Sequence, residues 1–202
     1  MYGISQNNRN VSLERKESFK DLGVVIDAKL TFRDHIYDKI NKAYAMLGII
    51  KRNFKYLTID GFVILYKSMV RFYLDYCSSV WVPHTKGDIE LLEKVQKRAT
   101  KLNPTIVTMA YSERLKAYKL PTLHYRHIRG DMLEMFKILS GVYDTAVTPR
   151  VNREYNSITR GNNLRLQKSR TRYDLRKYFF TNRALDIWNS LPNHACCVVR
   201  YS

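Results

Sequence analysis

The chain has 202 residues, 45% of them hydrophobic, which is enough for one substantial core. Its formal net charge of +17 favours a polyanionic partner, either nucleic acid or an acidic membrane surface, with a basic soluble protein lacking such a partner as the alternative. Three cysteines, two of them adjacent, exclude a disulfide framework and indicate an intracellular location, cytoplasmic or nuclear.

We expect no signal peptide and no membrane-spanning segment. The most apolar stretch, residues 62–82, carries Lys67, Arg71 and Asp75, so it is expected to be a buried helix.

The segment FKDLGVVIDAKLTF, residues 19–32, predicts a β-hairpin. Residues 23–26 are an apolar, β-branched run, Asp27 and Ala28 suit a turn, and residues 30–32 alternate apolar and polar. A short strand is also expected near residues 11–13. Because two strands are marginally stable alone in water, we expect the hairpin to join a further sheet or pack on a helix.

Almost everything after the hairpin has helical periodicity. The first predicted helix starts near Asp34, and its buried face comprises Ile36, Ile40, Ala43, Leu47 and Ile50. A second is predicted from a cap at Thr58 to Trp81, where Pro83 stops it, with Cys77 as a small core residue. A third covers residues 86–104, and a short fourth covers residues 112–118.

The fifth predicted helix follows a cap at Thr122. Its buried stripe is Ile128, Met132, Met135, Phe136 and Leu139, whereas Arg126, His127 and Arg129 are expected to point away. After a basic, irregular segment, a final helix is predicted to bury Phe179, Phe180, Ile187 and Trp188. The predicted fold is mostly α, a helical bundle preceded by a β-hairpin, divided into residues 1–33, 34–140 and 141–202.

No motif predicts catalysis. The eight glycines form no phosphate-binding loop, and no catalytic triad can be chosen from the scattered Ser, His and Asp residues. His124 with His127, and His194 with Cys196 and Cys197, are poor metal candidates because no further ligand has suitable spacing. We predict no catalytic residue, no metal site and no cofactor in this chain.

Cations are concentrated where the chain is least regular. Residues 150–183 hold ten Lys or Arg residues against two acidic residues, namely Arg150, Arg153, Arg160, Arg165, Lys168, Arg170, Arg172, Arg176, Lys177 and Arg183. Interleaved tyrosines suit phosphate contacts with base stacking, although a solvated basic loop is the alternative. Two predicted helix ends are also cationic, with Lys51, Arg52 and Lys55 at one and Lys97, Arg98 and Lys101 at the other. Their alternative role is to balance helix dipoles.

Five segments in order carry a family resemblance: FKDLGVVIDAKLTFRDHI, LYKSMVRFYLDYCSSVWVPH, DIELLEKVQKRATKL, ERLKAYKLPTLHYRHIRGDMLEMFKIL and TRGNNLRLQKSRTRYDLRKYFFTNRALDIWNSLP. Together they resemble the C-terminal third of the reverse transcriptase of jockey-like and chicken-repeat-like non-LTR retrotransposons (LINE elements). The resemblance covers roughly residues 11–193. It implies that the hairpin is the end of the polymerase palm and that the helices form the thumb, which grips the template–primer.

The resemblance implies RNA, RNA/DNA hybrid or DNA as partners, together with the remaining reverse transcriptase domains. It makes Leu22 and Gly23 primer-grip candidates, with Gly23 allowing close approach of another chain. Arg126 and Arg129 join the cations above as candidates for nucleic-acid binding.

The chain also departs from that family. It contains no Asp-Asp pair, so the carboxylates that bind Mg²⁺ would belong to a palm outside this sequence, and the tail HACCVVRYS leaves the family pattern. We therefore expect nucleic-acid binding without polymerisation. A helical protein-interaction module and an element remnant without function are the alternatives.

Overall fold

The computed structural model describes residues 3–6, 9–12, 16–144, 146–149, 151, 165–168 and 170–192. Strands β1 (Gly3–Gln6) and β2 (Arg9–Ser12) pair antiparallel, as do β3 (Ser18–Asp21) and β4 (Val24–Asp27), and these two hairpins form separate sheets. The helices are α1 (Arg33–Asn53), α2 (Ile59–Leu65), α3 (Arg71–Asp75), α4 (Ser78–Trp81), α5 (Lys86–Ala99), α6 (Tyr111–Ala117), α7 (Leu123–Leu139), α8 (Asp174–Lys177) and α9 (Phe180–Ser190). A π-helical segment, Tyr66–Val70, joins α2 to α3, and a short 3-10 turn covers Pro104–Ile106. The mostly helical class is confirmed.

The second hairpin is formed by residues other than those predicted. Ser18 pairs with Asp27 and Asp21 with Val24, so Leu22 and Gly23 form the turn, with φ angles of 43° and 83°. A turn does follow Asp27, where the Leu30 N–H donates to the Asp27 carbonyl at 2.9 Å, but it is not the hairpin turn, and the predicted strand over residues 30–32 was wrong. The Asp27 carboxylate accepts hydrogen bonds from the backbone N–H groups of Lys29, Thr31 and Phe32, at 3.0, 3.1 and 2.7 Å, and thereby holds a tight loop before α1.

The main core lies where α1 packs against α3, α5 and the π-helical segment. The predicted stripe of α1 is confirmed, since all five of its residues are buried: Ile36, Ile40, Ala43, Leu47 and Ile50. The opposing helices contribute Phe62, Tyr66, Leu74, Leu92 and Val95. Val24 of β4 is also buried in this core, so the second hairpin is anchored on the bundle through one strand.

The predicted helix from Thr58 to Trp81 is interrupted twice. Thr58 does cap it, accepting a 3.1 Å hydrogen bond from the Gly61 N–H, as predicted. The π-helical segment adds a residue to one turn, and the chain then breaks at Cys77, whose φ is 53°. Cys77 is exposed, so its assignment to the core was wrong. The indole N–H of Trp81 donates to the Tyr76 carbonyl at 2.6 Å and bridges this break.

A second, smaller core joins the later half of α7 to α9. Met135 is buried there with Leu166, Phe180 and Trp188, and Met132, Phe136 and Leu139 pack against it. Two sequence expectations fail at its edge. Phe179 is 56% exposed because it precedes α9 as its N-cap, and His127 is buried because α7 turns it toward Leu74.

The backbone of Leu166 is hydrogen-bonded to the side chain of Asn189. Its N–H donates to Asn189 Oδ1 at 3.0 Å, and its carbonyl accepts from Asn189 Nδ2 at 2.9 Å. Among the described helices, none is long and apolar enough to cross a membrane.

Candidate nucleic-acid interface

Helices α1 and α5 run side by side in the same direction. Near their first turns, Arg33 Nε lies 3.8 Å from a carboxylate oxygen of Asp88. Further along both helices, the guanidinium of Arg98 in the last turn of α5 lies over the ring of Tyr44 in the middle of α1, 5.3 Å from its centroid. The two helices therefore finish at the same end of the bundle, which brings together cations that are about 50 residues apart in the sequence.

These helix ends enclose a groove of about 310 Å³, which we call the helix-end groove. Its lining includes Tyr44, Gly48, Lys51, Arg98, Lys101 and Leu102. Three of the six cations predicted at the helix ends thus share one concave surface. Of the remainder, Arg52 is exposed in the last turn of α1, and Lys97 Nζ lies 5.5 Å from the ring centroid of Tyr111.

The dipole alternative accounts for only part of this charge. Each helix C-terminus carries about half a negative elementary charge, so two adjacent termini supply about one. Lys51, Arg52, Lys97, Arg98 and Lys101 supply five positive charges, and the lining of the helix-end groove contains no acidic residue. A surplus of positive charge therefore remains at this end of the bundle.

The sixth cation, Lys55, lies in the connection between α1 and α2. A second concavity of about 460 Å³, the loop groove, is lined there by Lys55, Tyr56, Ile59, Asn103, Pro104 and Thr105, among others. Buried Asn103 donates to the Leu57 carbonyl at 3.0 Å and accepts from the Thr105 N–H at 3.0 Å. The consecutive residues Leu102 and Asn103 line the helix-end groove and the loop groove respectively, so the two grooves lie near each other on the bundle.

The predicted cations of α7 differ in accessibility. Arg126 Nε lies 2.5 Å from Asp75 Oδ2, and Arg71 Nε lies 3.4 Å from the same oxygen. The Arg126 side chain is thereby held in an ion pair within the protein, whereas Arg129 is exposed. Burial, followed by repulsion from Arg126, lowers the pKa of Arg71. Sequence reasoning missed this network, for which the spacing of Arg71 and Asp75 was the available signal.

The basic C-terminal region contributes both exposed and paired cations. Arg165, Arg170, Arg172 and Arg176 are exposed, and Lys177 Nζ lies 5.2 Å from the ring centroid of Tyr178. Lys168 Nζ lies 2.6 and 2.7 Å from the two Asp186 carboxylate oxygens. Arg160 lies outside the described residues.

Arg183 has a structural position in the same region. Its guanidinium bonds to both carboxylate oxygens of buried Asp131, at 2.8 and 3.0 Å, and to the Ser79 carbonyl at 2.7 Å. It therefore fastens α9 to α7 and α4, which sets it apart from the exposed cations around it.

The primer-grip candidates form the tip of the second hairpin. Lys39 Nζ donates to the Gly23 carbonyl at 3.1 Å, and the Tyr76 hydroxyl donates to the Leu22 carbonyl at 2.9 Å. The Leu22 side chain is 81% exposed. A Cβ on Gly23 would lie 3.6 Å from the Tyr76 ring, which is an ordinary contact. Within this chain, glycine is therefore favoured at this position by its positive φ and not by a lack of space for a side chain.

Among the metal candidates of the sequence, His127 makes a structural contact. His127 Nε2 lies 2.9 Å from the Leu74 carbonyl, to which it donates, and burial lowers the pKa of His127. Within the described part of the chain, no group of three or more His, Cys, Asp or Glu residues could hold a metal ion. His194, Cys196 and Cys197 lie outside the described residues.

Fold and site together define a mostly helical protein with a cationic groove at one end of its bundle. Among known proteins, the chain is similar to the uncharacterized protein B0403.1 of Caenorhabditis elegans, with 28% identity over 126 residues. This match covers 61% of the chain and 64% of that protein, so the chain spans less than two thirds of its relative. Neither a protein-family model nor a solved structure matches the chain.

Proposed function

We propose that this chain is a fragment of a non-LTR retrotransposon reverse transcriptase, running from the end of the palm through the thumb, and that it binds RNA, RNA/DNA hybrid or DNA. The observation that carries the binding proposal is the convergence of Lys51, Arg98 and Lys101 on one groove without an acidic neighbour in its lining. The ordered sequence motifs support the proposed origin. The remaining reverse transcriptase domains are its proposed protein partners.

The binding chemistry would be recognition of phosphate groups. Lysine offers a compact charge and arginine a planar donor fork, and both suit phosphate oxygens. Such contacts give affinity and position on the strand but do not read base sequence. Polymerisation would need two metal ions held by converging carboxylates, and this chain has no Asp-Asp pair to supply them. The proposed fragment therefore binds nucleic acid and leaves catalysis to the palm.

A charge-reversal experiment tests the groove directly. The triple variant Lys51→Glu, Arg98→Glu and Lys101→Glu should bind a primer-ended RNA/DNA hybrid at least about tenfold more weakly than the wild type. A matched control reverses three exposed lysines away from the groove, namely Lys29, Lys67 and Lys116. The control should retain most of the affinity. Equal losses in both variants would show that net charge, and not the groove, determines binding.

A second candidate function, protein interaction, is favoured by an exposed apolar patch. Leu22 and Phe72 lie on either side of Tyr76, and Phe72 is 57% exposed. The Tyr76 hydroxyl donates to the Leu22 carbonyl, and the ring centroids of Tyr76 and Phe72 lie 5.8 Å apart. Such patches mark contact surfaces for other proteins. Sedimentation of the wild type beside a Leu22→Ser, Phe72→Ser variant tests it, because self-association that disappears in the variant supports the interaction module.

A further inference from the structure

We infer that Tyr56 is a base-stacking residue, and that the helix-end groove and the loop groove together select unpaired, single-stranded nucleic acid over a closed duplex. This inference rests on the proposed function and adds the class of strand that the site prefers. Tyr56 is 98% exposed. Among the described residues, it makes no ring contact and no hydrogen bond, so neither kind of contact within the described chain accounts for an aromatic side chain there.

The loop around Tyr56 is fixed on both sides. The Phe54 N–H donates to the Ile50 carbonyl at 3.0 Å and continues the helical pattern of α1. Leu57 packs against the main core, and its carbonyl accepts the hydrogen bond from buried Asn103. With both neighbouring positions anchored, the ring of Tyr56 is displayed on a preorganised loop, which lowers the entropic cost of binding through it.

The position of Tyr56 supplies phosphate contacts as well as a ring. Lys55 precedes it in the loop groove, and the nearby helix-end groove adds Lys51, Arg98 and Lys101. A basic groove beside an exposed aromatic ring is the combination by which proteins hold single strands, with the groove following the backbone and the ring stacking on a base. Charge complementarity therefore favours a nucleic-acid strand over an apolar peptide as the occupant.

Stacking distinguishes single strands from duplexes. An unpaired base can offer its face to Tyr56, whereas the interior bases of a duplex are covered on both faces by their neighbours. The phosphates of either form can still reach the lysines and arginines. A preference for single strands should therefore depend on Tyr56, while the affinity for duplex should depend on the cations alone.

The test compares variants of the full chain on strands of about 12 nucleotides, a length within the usual site size of such grooves. The probes are single-stranded RNA and DNA of one sequence, the closed duplex of that sequence, and an abasic single strand with the same phosphates. The variants are Tyr56→Ala, Tyr56→Phe, which keeps an aromatic ring, and Tyr37→Ala, which removes an exposed tyrosine near the other end of α1.

Tyr56→Ala should bind one or both of the base-containing single strands about 5- to 150-fold more weakly, the range expected for one stacked base. Tyr56→Phe and Tyr37→Ala should stay close to the wild type, and Tyr56→Ala should leave duplex and abasic binding unchanged. These results together would support the inference.

Three outcomes would overturn it. Unchanged binding by Tyr56→Ala, while the groove triple variant loses affinity, would refute stacking but leave the proposed function intact. The same loss on the abasic strand would show that Tyr56 does not act through bases. A wild type that binds none of the probes would refute the proposed function, and the inference with it.

Discussion

Leu22 and Gly23 at the hairpin tip combine backbone strain with exposure. Both residues have positive φ, which costs an L-residue other than glycine about 1–2 kcal/mol. Their carbonyls are held by the Tyr76 hydroxyl and by Lys39, so the surrounding structure fixes the turn. A leucine kept exposed in this conformation marks the tip as a candidate contact surface, whether for a primer end or for a protein.

This strain predicts opposite effects at two glycines. Gly23→Ala should lower the free energy of unfolding by about 1–2 kcal/mol, because alanine is disfavoured at a φ of +83°. Gly48→Ala is the control, since it lies inside α1 with nothing within 4 Å of its added Cβ. It should raise the free energy of unfolding by about 0.5–1 kcal/mol. Urea unfolding measures both, and a neutral Gly23→Ala would contradict the turn geometry.

His35 predicts a loss of stability in mild acid. Its Nδ1 accepts the Val25 N–H at 3.1 Å, and burial, assisted by the nearby charge of Lys39, lowers its pKa from 6.5 to about 4. Between these values the unfolded chain binds more protons than the folded chain. The free energy of unfolding should therefore fall as the pH falls through this window, by about 1–2 kcal/mol after allowance for solvent screening.

The variant His35→Asn isolates that contribution. An asparagine Oδ1 can accept the Val25 N–H but does not titrate, so the variant should lose less stability than the wild type between about pH 7 and about pH 4.5. Urea unfolding at several pH values gives the difference. Some dependence should remain, because burial also lowers the pKa of His127. Parallel profiles for wild type and variant would contradict a buried, neutral His35.

At the scale of elements, the C-terminal helix depends on one arginine. The side chains of Arg183 and Asp131 are only 14% and 8% exposed, so removing one partner leaves the other as a buried charge without its ion pair. Arg183→Ala should destabilise the docking of α9 by about 3–5 kcal/mol. Lys168→Ala is the control, because Lys168 and Asp186 are 55% and 65% exposed and such pairs contribute about 0–1 kcal/mol. Hydrogen exchange in α9 should rise only in the Arg183 variant, and equal exchange would contradict this role.

The helices were predictable where packing follows a local pattern. The stripe of α1 and the caps at Thr58 and Thr122 were all deduced from spacing and capping chemistry, and the structure confirms them. The hairpin register was not, because Asp27 is a common turn residue and Leu22 an uncommon one. The Asp27 carboxylate instead accepts hydrogen bonds from the backbone of the loop that follows β4, a local role that the same turn preference of aspartate equally allows.

The candidate site was predictable by composition but not by arrangement. The sequence identifies the cationic helix ends, but only the parallel packing of α1 and α5 places Lys51 beside Arg98 and Lys101. The same limit applies to Arg126, because its partner Asp75 lies 51 residues away. Tyr56 carried no signal in the sequence, since the exposure of a tyrosine in a short connection depends on which of its neighbours are anchored.

At the scale of the whole molecule, the question is whether the charge of +17 acts diffusely or through the helix-end groove. Each phosphate neutralised releases counterions, so the logarithm of the affinity falls linearly with the logarithm of the salt concentration. If about six phosphates are contacted, the slope of the logarithm of the affinity against the logarithm of the salt concentration should be about −5 on duplex or hybrid. The groove triple variant should reduce the magnitude of that slope by about 2–3, because it removes three phosphate contacts.

Competition with heparin completes this test. A polyanion without bases or duplex geometry competes well for diffuse charge and less well for a shaped groove. We expect the wild type to retain a preference for nucleic acid over heparin at physiological salt, and the groove triple variant to lose it. The Lys29, Lys67 and Lys116 control should keep the preference with nearly the wild-type slope. If all three proteins bind heparin and hybrid equally, binding by this chain depends on its net charge alone, and the helix-end groove contributes no preference for nucleic acid.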